Sequence, residues 1–342
     1  MKILLATAYE YPHIGGLSTH VTTLKAGLEA RGHEVDVLSF SNIASATRKL
    51  YAQGPSFVMN KIRKGRGILW THHVRQKCVQ KLIEKNKHKN YDIINAQDPF
   101  STLAALETGI PVVSTVHGYA TFESISKGSM IEGSPEAKKF QSIEIQAYKG
   151  TRKIITVDQR LKNYIKEVSG VDATAIRNFI DIHSFKPDKG KRQEFRKQYG
   201  VGLDEQVVFI PRRLVPKNGV IYPVMSFPAV LQKYPNARLI YAGEGNQMSE
   251  IKRIAVENGI EDRVTLLGNV PHDKVKDYFA LSDIVIVPSI YSAGVEEATS
   301  ISALEAMGSG TPLIACAVGG LKEIVNPGVD GLLIEEKSAA QM

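Results

Sequence analysis

The residues with the most chemical content lie in Glu297-Ala-Thr-Ser-Ile-Ser-Ala-Leu-Glu305-Ala-Met-Gly-Ser-Gly-Thr-Pro312. Two carboxylates stand eight positions apart, with a polar turn after the first and an apolar run leading to the second. Thr299, Ser300 and Ser302 are residue types that start helices, so the spacing predicts a helix opening just after Glu297, with Glu305 in about its second turn on the same side. A helix N-terminus offers free backbone N–H groups and the positive end of a dipole, which suits a phosphate. A carboxylate at its mouth and another within it accept hydrogen bonds from hydroxyls. A ligand carrying phosphates and sugar hydroxyls together fits that set.

Three other groups have the right chemistry for such a ligand. Gly15-Gly16 falls between a predicted first strand and first helix, where paired glycines let the backbone approach a bulky anion; a plain tight turn is the alternative. His117 ends the apolar run Val112-Val-Ser-Thr-Val116, so it sits at the carboxyl end of a strand, either as a satisfied structural histidine or as a site residue. Arg213 and Lys217, in Pro211-Arg-Arg-Leu-Val-Pro-Lys-Asn-Gly219, follow a strand directly, where cations can clamp a diphosphate and stabilise it as a leaving group. No Gly-x-Gly-x-x-Gly or Walker-type loop occurs, so dinucleotide and ATP motifs find no support. The nine histidines show no zinc-like spacing, and no Asp-x-Asp metal motif is present.

The elements that must position these residues are legible as an alternation. Apolar runs at 3–6, 35–40, 92–96, 112–115 and 153–157 read as strands, separated by helical patterns. One such pattern is capped by Ser18 and ended by Gly32; others cover about 102–108 and 135–149. The pattern restarts with strands at 206–210, 238–242, 264–267, 284–287 and 312–315, and a helix over about 222–233. Alternation of this kind implies parallel, doubly wound sheets. Asn178-Phe-Ile-Asp-Ile-His-Ser-Phe-Lys-Pro187 reads as a linker, giving an N-terminal domain at 1–183 and a C-terminal domain at 184–342. Two such domains would face each other across a cleft, with ligands outside the carboxyl ends of the strands.

A chain of 342 residues supports two cores. No apolar run reaches spanning length, and two distant cysteines, Cys78 and Cys316, fit a reducing cytoplasm. The net charge of +8 is uneven: ten Lys/Arg and one acid, Glu84, fall within residues 61–89. The plain reading is a solvated helix face. The functional one is attraction to an anionic partner, a bilayer surface or a phosphate-bearing acceptor. Closely spaced aromatics for stacking are lacking, which disfavours nucleic acid.

The Glu297–Glu305 stretch resembles the Glu-x7-Glu motif of retaining GT-B glycosyltransferases of family 4, the glycogen-synthase-like class (glycosyl transferases group 1). The tail Glu-Ala-Met-x-x-Gly-x-Pro matches throughout, while Glu297-Ala-Thr-Ser replaces the usual Glu-Gly-Phe-Gly. Pro12-x-x-Gly-Gly-x-x-x-His20 and Arg31-Gly-His-Glu-Val35 resemble the opening of that family. The resemblance covers almost the whole chain and implies transfer of a sugar from a nucleoside diphosphate sugar to a hydroxyl acceptor, lipid-linked or a cell-surface glycan precursor. It places Gly15 and Gly16 against the donor diphosphate and His117 near the donor sugar. It assigns Glu297 to donor-sugar hydroxyls and Glu305 to the ribose. The helix-start residues Thr299, Ser300, Ile301 and Ser302 face the phosphates, and the loop holding Asn269 and Val270 borders the nucleobase. It implies front-face attack, the leaving phosphate taking the acceptor proton, and no cofactor or metal, because the cationic clamp replaces Mg²⁺.

Departures bear on that carry-over. Asn218 occupies the family's lysine position and Lys217 lies one earlier, so Arg213 is the firmer assignment; Arg212 stands where glycine is usual, in a position to compete. Gln97 replaces a common histidine. Family members continue past Gly331-Leu-Leu-Ile into a helix that crosses back to the first domain, and that crossover helix is expected to be missing here. A GT-B-fold nucleotide-sugar epimerase and a non-catalytic nucleotide-sugar-binding subunit are the alternatives. The expected location is cytoplasmic, peripheral on the inner face of a membrane if the basic segment docks there.

Overall fold

The computed structural model describes every residue except Ile14, Asp188 and Ala293, and omits the side chain of Lys189. The chain divides into two compact units, one built almost wholly from residues 1–177 and the other from 178–342.

The first unit is a six-stranded sheet of β1 (Lys2–Thr7), β2 (Glu34–Ser39), β3 (Ile93–Ala96), β4 (Val112–Val116), β5 (Lys153–Thr156) and β6 (Thr174–Ala175). All pairings are parallel, in the order β2-β1-β3-β4-β5-β6. Leu4, Leu5 and Ile94 are fully buried, because a central parallel strand is covered by helices on both faces. The helices 16–29, 66–85, 99–106 and 135–150 pack against this sheet, with Phe100, Phe140, Val79 and Ile83 in the core.

The second unit repeats the plan with β7 (Val207–Ile210), β8 (Arg238–Tyr241), β9 (Val264–Leu266), β10 (Ile284–Val287), β11 (Leu313–Cys316) and β12 (Leu332–Ile334). Its order is β12-β11-β10-β7-β8-β9, again wholly parallel. In each sheet the strand order reverses direction once, between β1 and β3 in the first and between β7 and β10 in the second. The loops leaving adjacent strand ends diverge there and open a crevice. The loops after β7 and β10 carry residues 212–218 and 289–297, so topology brings these two loops side by side.

Several local expectations shift. The first helix begins at Gly16 rather than being capped by Ser18, whose Oγ instead accepts from the His13 N–H at 3.1 Å. The helix read at 102–108 is Pro99–Leu106, opened by Asp98, whose carboxylate accepts from the N–H groups of Phe100 and Ser101. Asp98 also accepts from Ala8 N and Thr7 Oγ1, so this buried acid is fully employed in joining β1 to β3. Asn178–Phe185, read as linker, lies with the second unit, where Ile180 and Phe185 join the core.

The basic segment is less uniform than its composition. Arg63 and Arg66 pair with Glu136, Lys89 with Asp36, and Lys87 with Glu84. Arg75 lies over the rings of Tyr9 and Phe40, at 5.5 and 5.1 Å, and is not a free member of a docking face. Lys77, Lys81 and Lys85 remain as an exposed stripe at helical spacing.

Candidate functional site

The β7 loop is held by close backbone packing. A Cβ on Gly243 would lie 2.2 Å from Arg212 O and one on Gly245 2.1 Å from Leu214 O, so only glycine lets these loops touch. Leu214 N donates to Glu244 O at 2.9 Å and Gln247 N donates to Leu214 O at 2.9 Å, zipping the two loops together. Asn269, at the next loop, donates to Glu244 at 2.7 Å. Val270 packs against the core.

Arg212 is the centre of this loop cluster. Its Nη2 donates to Glu297 Oε2 at 2.7 Å, to Ser289 Oγ at 2.9 Å and to Asn218 Oδ1 at 3.0 Å; its Nη1 donates to Ser300 Oγ at 3.2 Å. The two charged side chains are only 9% and 13% exposed. Burial pushes the Glu297 carboxyl up, but Arg212, Lys217 and Arg213 together outweigh it and hold the group below the ordinary glutamate range. Glu297 is therefore ionised near neutrality and already engaged by one cation. Arg213, the expected leading cation, is exposed, and Lys217 is half-buried. Both lower Glu297 through their charge. Asn218, which stands where a lysine was anticipated, is buried and ties the loop by donating to Arg213 O at 2.8 Å.

The predicted helix is Ile301–Gly308, with Ser300 at its N-cap and Glu305 in its second turn. Ser300 does not cap through its side chain; its Oγ instead accepts from Arg212. Ser302 Oγ donates to Pro211 O at 2.9 Å, pinning the helix start to the end of β7. Thr299 is buried, and its carbonyl accepts from Asn178 Nδ2 at 2.8 Å. Gly320 N donates to Glu297 O at 2.7 Å; a Cβ there would meet the Ala298 carbonyl at 2.7 Å. The glycine pair at 319–320 thus shapes the turn that carries Glu297.

Glu305 is nearly buried, and its Oε1 lies 2.7 Å from His272 Nε2. Burial raises the Glu305 carboxyl and His272 partly restores it; the bond to Glu305 raises His272 against its own burial. Sequence reading missed His272, which lies 33 positions away at the start of the helix His272–Leu281.

In the first unit, Gly15 and Gly16 follow β1, and Gly16 opens the helix Gly16–Glu29. His117 follows β4. Its Nε2 lies 2.9 Å from Gln97 Oε1, and Gln97 Nε2 in turn donates to Asn95 Oδ1. Gln97 therefore presents its oxygen, and His117 donates through Nε2–H. Burial and the neighbouring His20, whose ring centroid is 4.6 Å away, keep the imidazole well below its usual range. His117 is thus neutral, leaving Nδ1 as a hydrogen-bond acceptor. The turn after it is fixed by buried Glu144, which accepts from Ala120 N and Thr121 N, each at 3.0 Å, and from Thr121 Oγ1. Burial lifts this carboxyl to about 7. Sequence reading passed over Glu144, which sits mid-helix with no local signal of its contacts.

Two parallel doubly wound units, each with a strand switch point, are the GT-B architecture. The chain belongs to the glycosyltransferase family 4, whose signature matches residues 14–184, followed by glycosyl transferases group 1 over residues 191–342. It is 28% identical to an uncharacterized glycosyltransferase of Methanocaldococcus jannaschii, over 99% of this chain and 86% of that one. It is 27% identical to the D-inositol 3-phosphate glycosyltransferase of Mycobacterium bovis, over 96% and 69% respectively. It is 33% identical to a GDP-mannose-dependent alpha-(1-6)-phosphatidylinositol monomannoside mannosyltransferase of Mycobacterium tuberculosis, over 46% and 42%. Among solved structures, Anabaena HepE in complex with UDP and glucose superposes with a TM-score of 0.69 at 18% identity, covering 99% of this chain and 87% of HepE. Sucrose-phosphate synthase of Thermosynechococcus elongatus superposes with a TM-score of 0.71 at 20% identity, covering 99% and 87%.

Proposed function

We propose that this protein is a retaining glycosyltransferase that moves a sugar from a nucleoside diphosphate sugar to a hydroxyl acceptor without a metal ion. The observation that carries this reading is the ionised Glu297 among Arg212, Arg213 and Lys217 at the β7/β10 switch point. Exposed Arg213 and half-buried Lys217 supply positive charge for a leaving diphosphate, together with the N–H groups that open Ile301–Gly308 and Gly16–Glu29. Glu297 accepts from donor-sugar hydroxyls with its remaining acceptor capacity, and Glu305 from the ribose. His117, neutral, orients a hydroxyl through Nδ1 and contributes no charge. The departing phosphate takes the acceptor proton in a front-face step. Asn269 and Val270 border the base.

Relatives whose names cite GDP-mannose and phosphatidylinositol monomannoside, and a neighbour solved with UDP and glucose, favour a nucleotide-sugar donor and a lipid-linked acceptor. No described helix is long and apolar enough to cross a membrane. On our reading a lipid acceptor is met at the inner face of a membrane, with the protein peripheral on it. Thermal-shift screening with UDP, GDP and ADP identifies the base; the matching radiolabelled sugars, offered with lipid and soluble acceptors, then test transfer. Transfer with retention of anomeric configuration supports the reading. Release of free nucleotide with an altered sugar points to an epimerase, and binding without turnover to a binding subunit.

A further inference from the structure

Residues 45–62 form one continuous helical segment, with π-helical turns at Arg48–Gln53 and an α-helix at Gly54–Ile62. Its inner side is firmly seated on the helix Arg66–Lys85. Asn60 Oδ1 accepts from Gly65 N and Gly67 N, at 3.1 and 2.9 Å, and Trp70 Nε1 donates to Tyr51 O at 2.8 Å. Its outer side is not polar. Leu50, Tyr51, Phe57, Val58 and Ile62 recur at helical spacing, and Phe57 and Ile62 are 64% and 72% exposed. Trp70, the only tryptophan of the chain, sits half-exposed beside them.

A structured helix with five large apolar groups facing water is unfavourable unless something covers them. The surrounding charge states what that is. From residue 37 to residue 83 there is no Asp or Glu, against nine Lys/Arg. Four of the nine are engaged internally: Arg48 with Glu10, Arg63 and Arg66 with Glu136, and Arg75 with aromatic rings. Lys49, Lys61, Lys64, Lys77 and Lys81 are exposed, and among the described residues none pairs with a carboxylate. Lys61 lies over the ring of Phe57, 4.6 Å from its centroid, with its ammonium exposed. An apolar face rimmed by exposed cations that no carboxylate neutralises, with a tryptophan at its edge, matches the interface of an anionic bilayer. A second copy of the chain would set one basic rim against another and be repelled.

We propose that the outer face of residues 45–62 inserts Leu50, Tyr51, Phe57, Val58 and Ile62 into an anionic membrane, with Lys61 and Lys64 at the headgroups. This deepens the membrane part of the reading above by naming the inserting residues, and it is independent of the donor chemistry. The proposed surface differs from the basic segment taken alone: cations recruit, and the apolar helix face holds.

The test uses flotation of the full chain with vesicles of phosphatidylcholine alone or mixed with phosphatidylglycerol, while Trp70 fluorescence is recorded. Binding should require phosphatidylglycerol, weaken with salt, and shift Trp70 emission to the blue. Phe57→Ser/Ile62→Ser and Lys61→Glu/Lys64→Glu should each lower partitioning at least tenfold, since one lost cation alone costs about fivefold. Both variants change exposed side chains, and unchanged circular dichroism and nucleotide-induced thermal shift would show that fold and donor site persist. The proposal fails if the wild type ignores anionic vesicles, or if the apolar variant binds as the wild type does. It also fails if the substitutions instead turn a dimer into a monomer in sedimentation velocity. A failed nucleotide shift in the wild type would count against the donor reading alone.

Discussion

Arg212 Nη2 donates to Glu297 Oε2 at 2.7 Å, joining residues 85 positions apart across the two loops at the switch point of the second sheet. Removing either partner leaves a buried charge uncompensated, at about 3 kcal/mol. Arg212→Ala and Glu297→Gln should each destabilise by roughly that amount, while the double variant loses clearly less than the sum. Urea unfolding of the three variants measures it; additive losses would show that the contact carries no coupling.

The two acids should separate by role. Glu305→Ala should weaken nucleoside diphosphate binding by about 1.5–3 kcal/mol, as expected for a charge-assisted bond to ribose. Glu305→Gln should be milder, because an amide still accepts. Glu297→Ala should leave that affinity nearly intact and reduce turnover. Calorimetric titration decides: equal losses of affinity in both alanine variants would sink the division of labour. His272→Ala serves as the control for lost support of Glu305.

The His272–Glu305 pair gives a pH signature. His272 is raised above the ordinary value of about 6.5 chiefly by its bond to Glu305. A raised histidine contributes stability that is complete below the unfolded value and is lost as pH rises through the folded one. The difference in melting temperature between wild type and His272→Gln should therefore be largest below about pH 6.5 and shrink as pH rises above that value. A difference independent of pH across that range contradicts the assignment.

Chelation should leave transfer unchanged, because side-chain cations provide the charge that a divalent ion would otherwise supply. Loss of activity with EDTA and recovery with Mg²⁺ or Mn²⁺ would overturn this. Arg213→Ala and Lys217→Ala should both lower turnover, the arginine variant more, since its exposed guanidinium can grip a phosphate with two donors.

Glu144 supports the turn that follows His117. Glu144→Ala leaves the N–H groups of Ala120 and Thr121 without their acceptor inside the first unit, and should cost on the order of 3 kcal/mol. Urea unfolding checks the loss, and the His117 ring resonances in NMR should shift with it. A variant as stable as the wild type would mean that the turn finds other partners.

The amino-acid sequence by itself determined the strands and their order of appearance. Runs such as Ile284–Val287 and Val207–Ile210 are apolar throughout, because strands covered on both faces leave no polar alternation. It also determined where Glu297 and Glu305 fall about a helix start, since that depends on neighbours within one turn. Short edge strands such as β6, two residues long, carry too little pattern to be read. Tertiary structure alone decided the partners. Arg212 rather than Arg213 meets Glu297, because two adjacent residues leaving a strand point to opposite sides, and only the loop packing at Gly243 and Gly245 fixes which side faces the crevice. Glu305 meets His272, and Gln97 meets His117, through strand and helix ends that come together only when the sheets form. The exposed apolar face of residues 45–62 was likewise hidden in an ordinary amphipathic pattern. Which stripe of that helix packs inward is settled by its seat on Gly65, Gly67 and Trp70, and not by its composition.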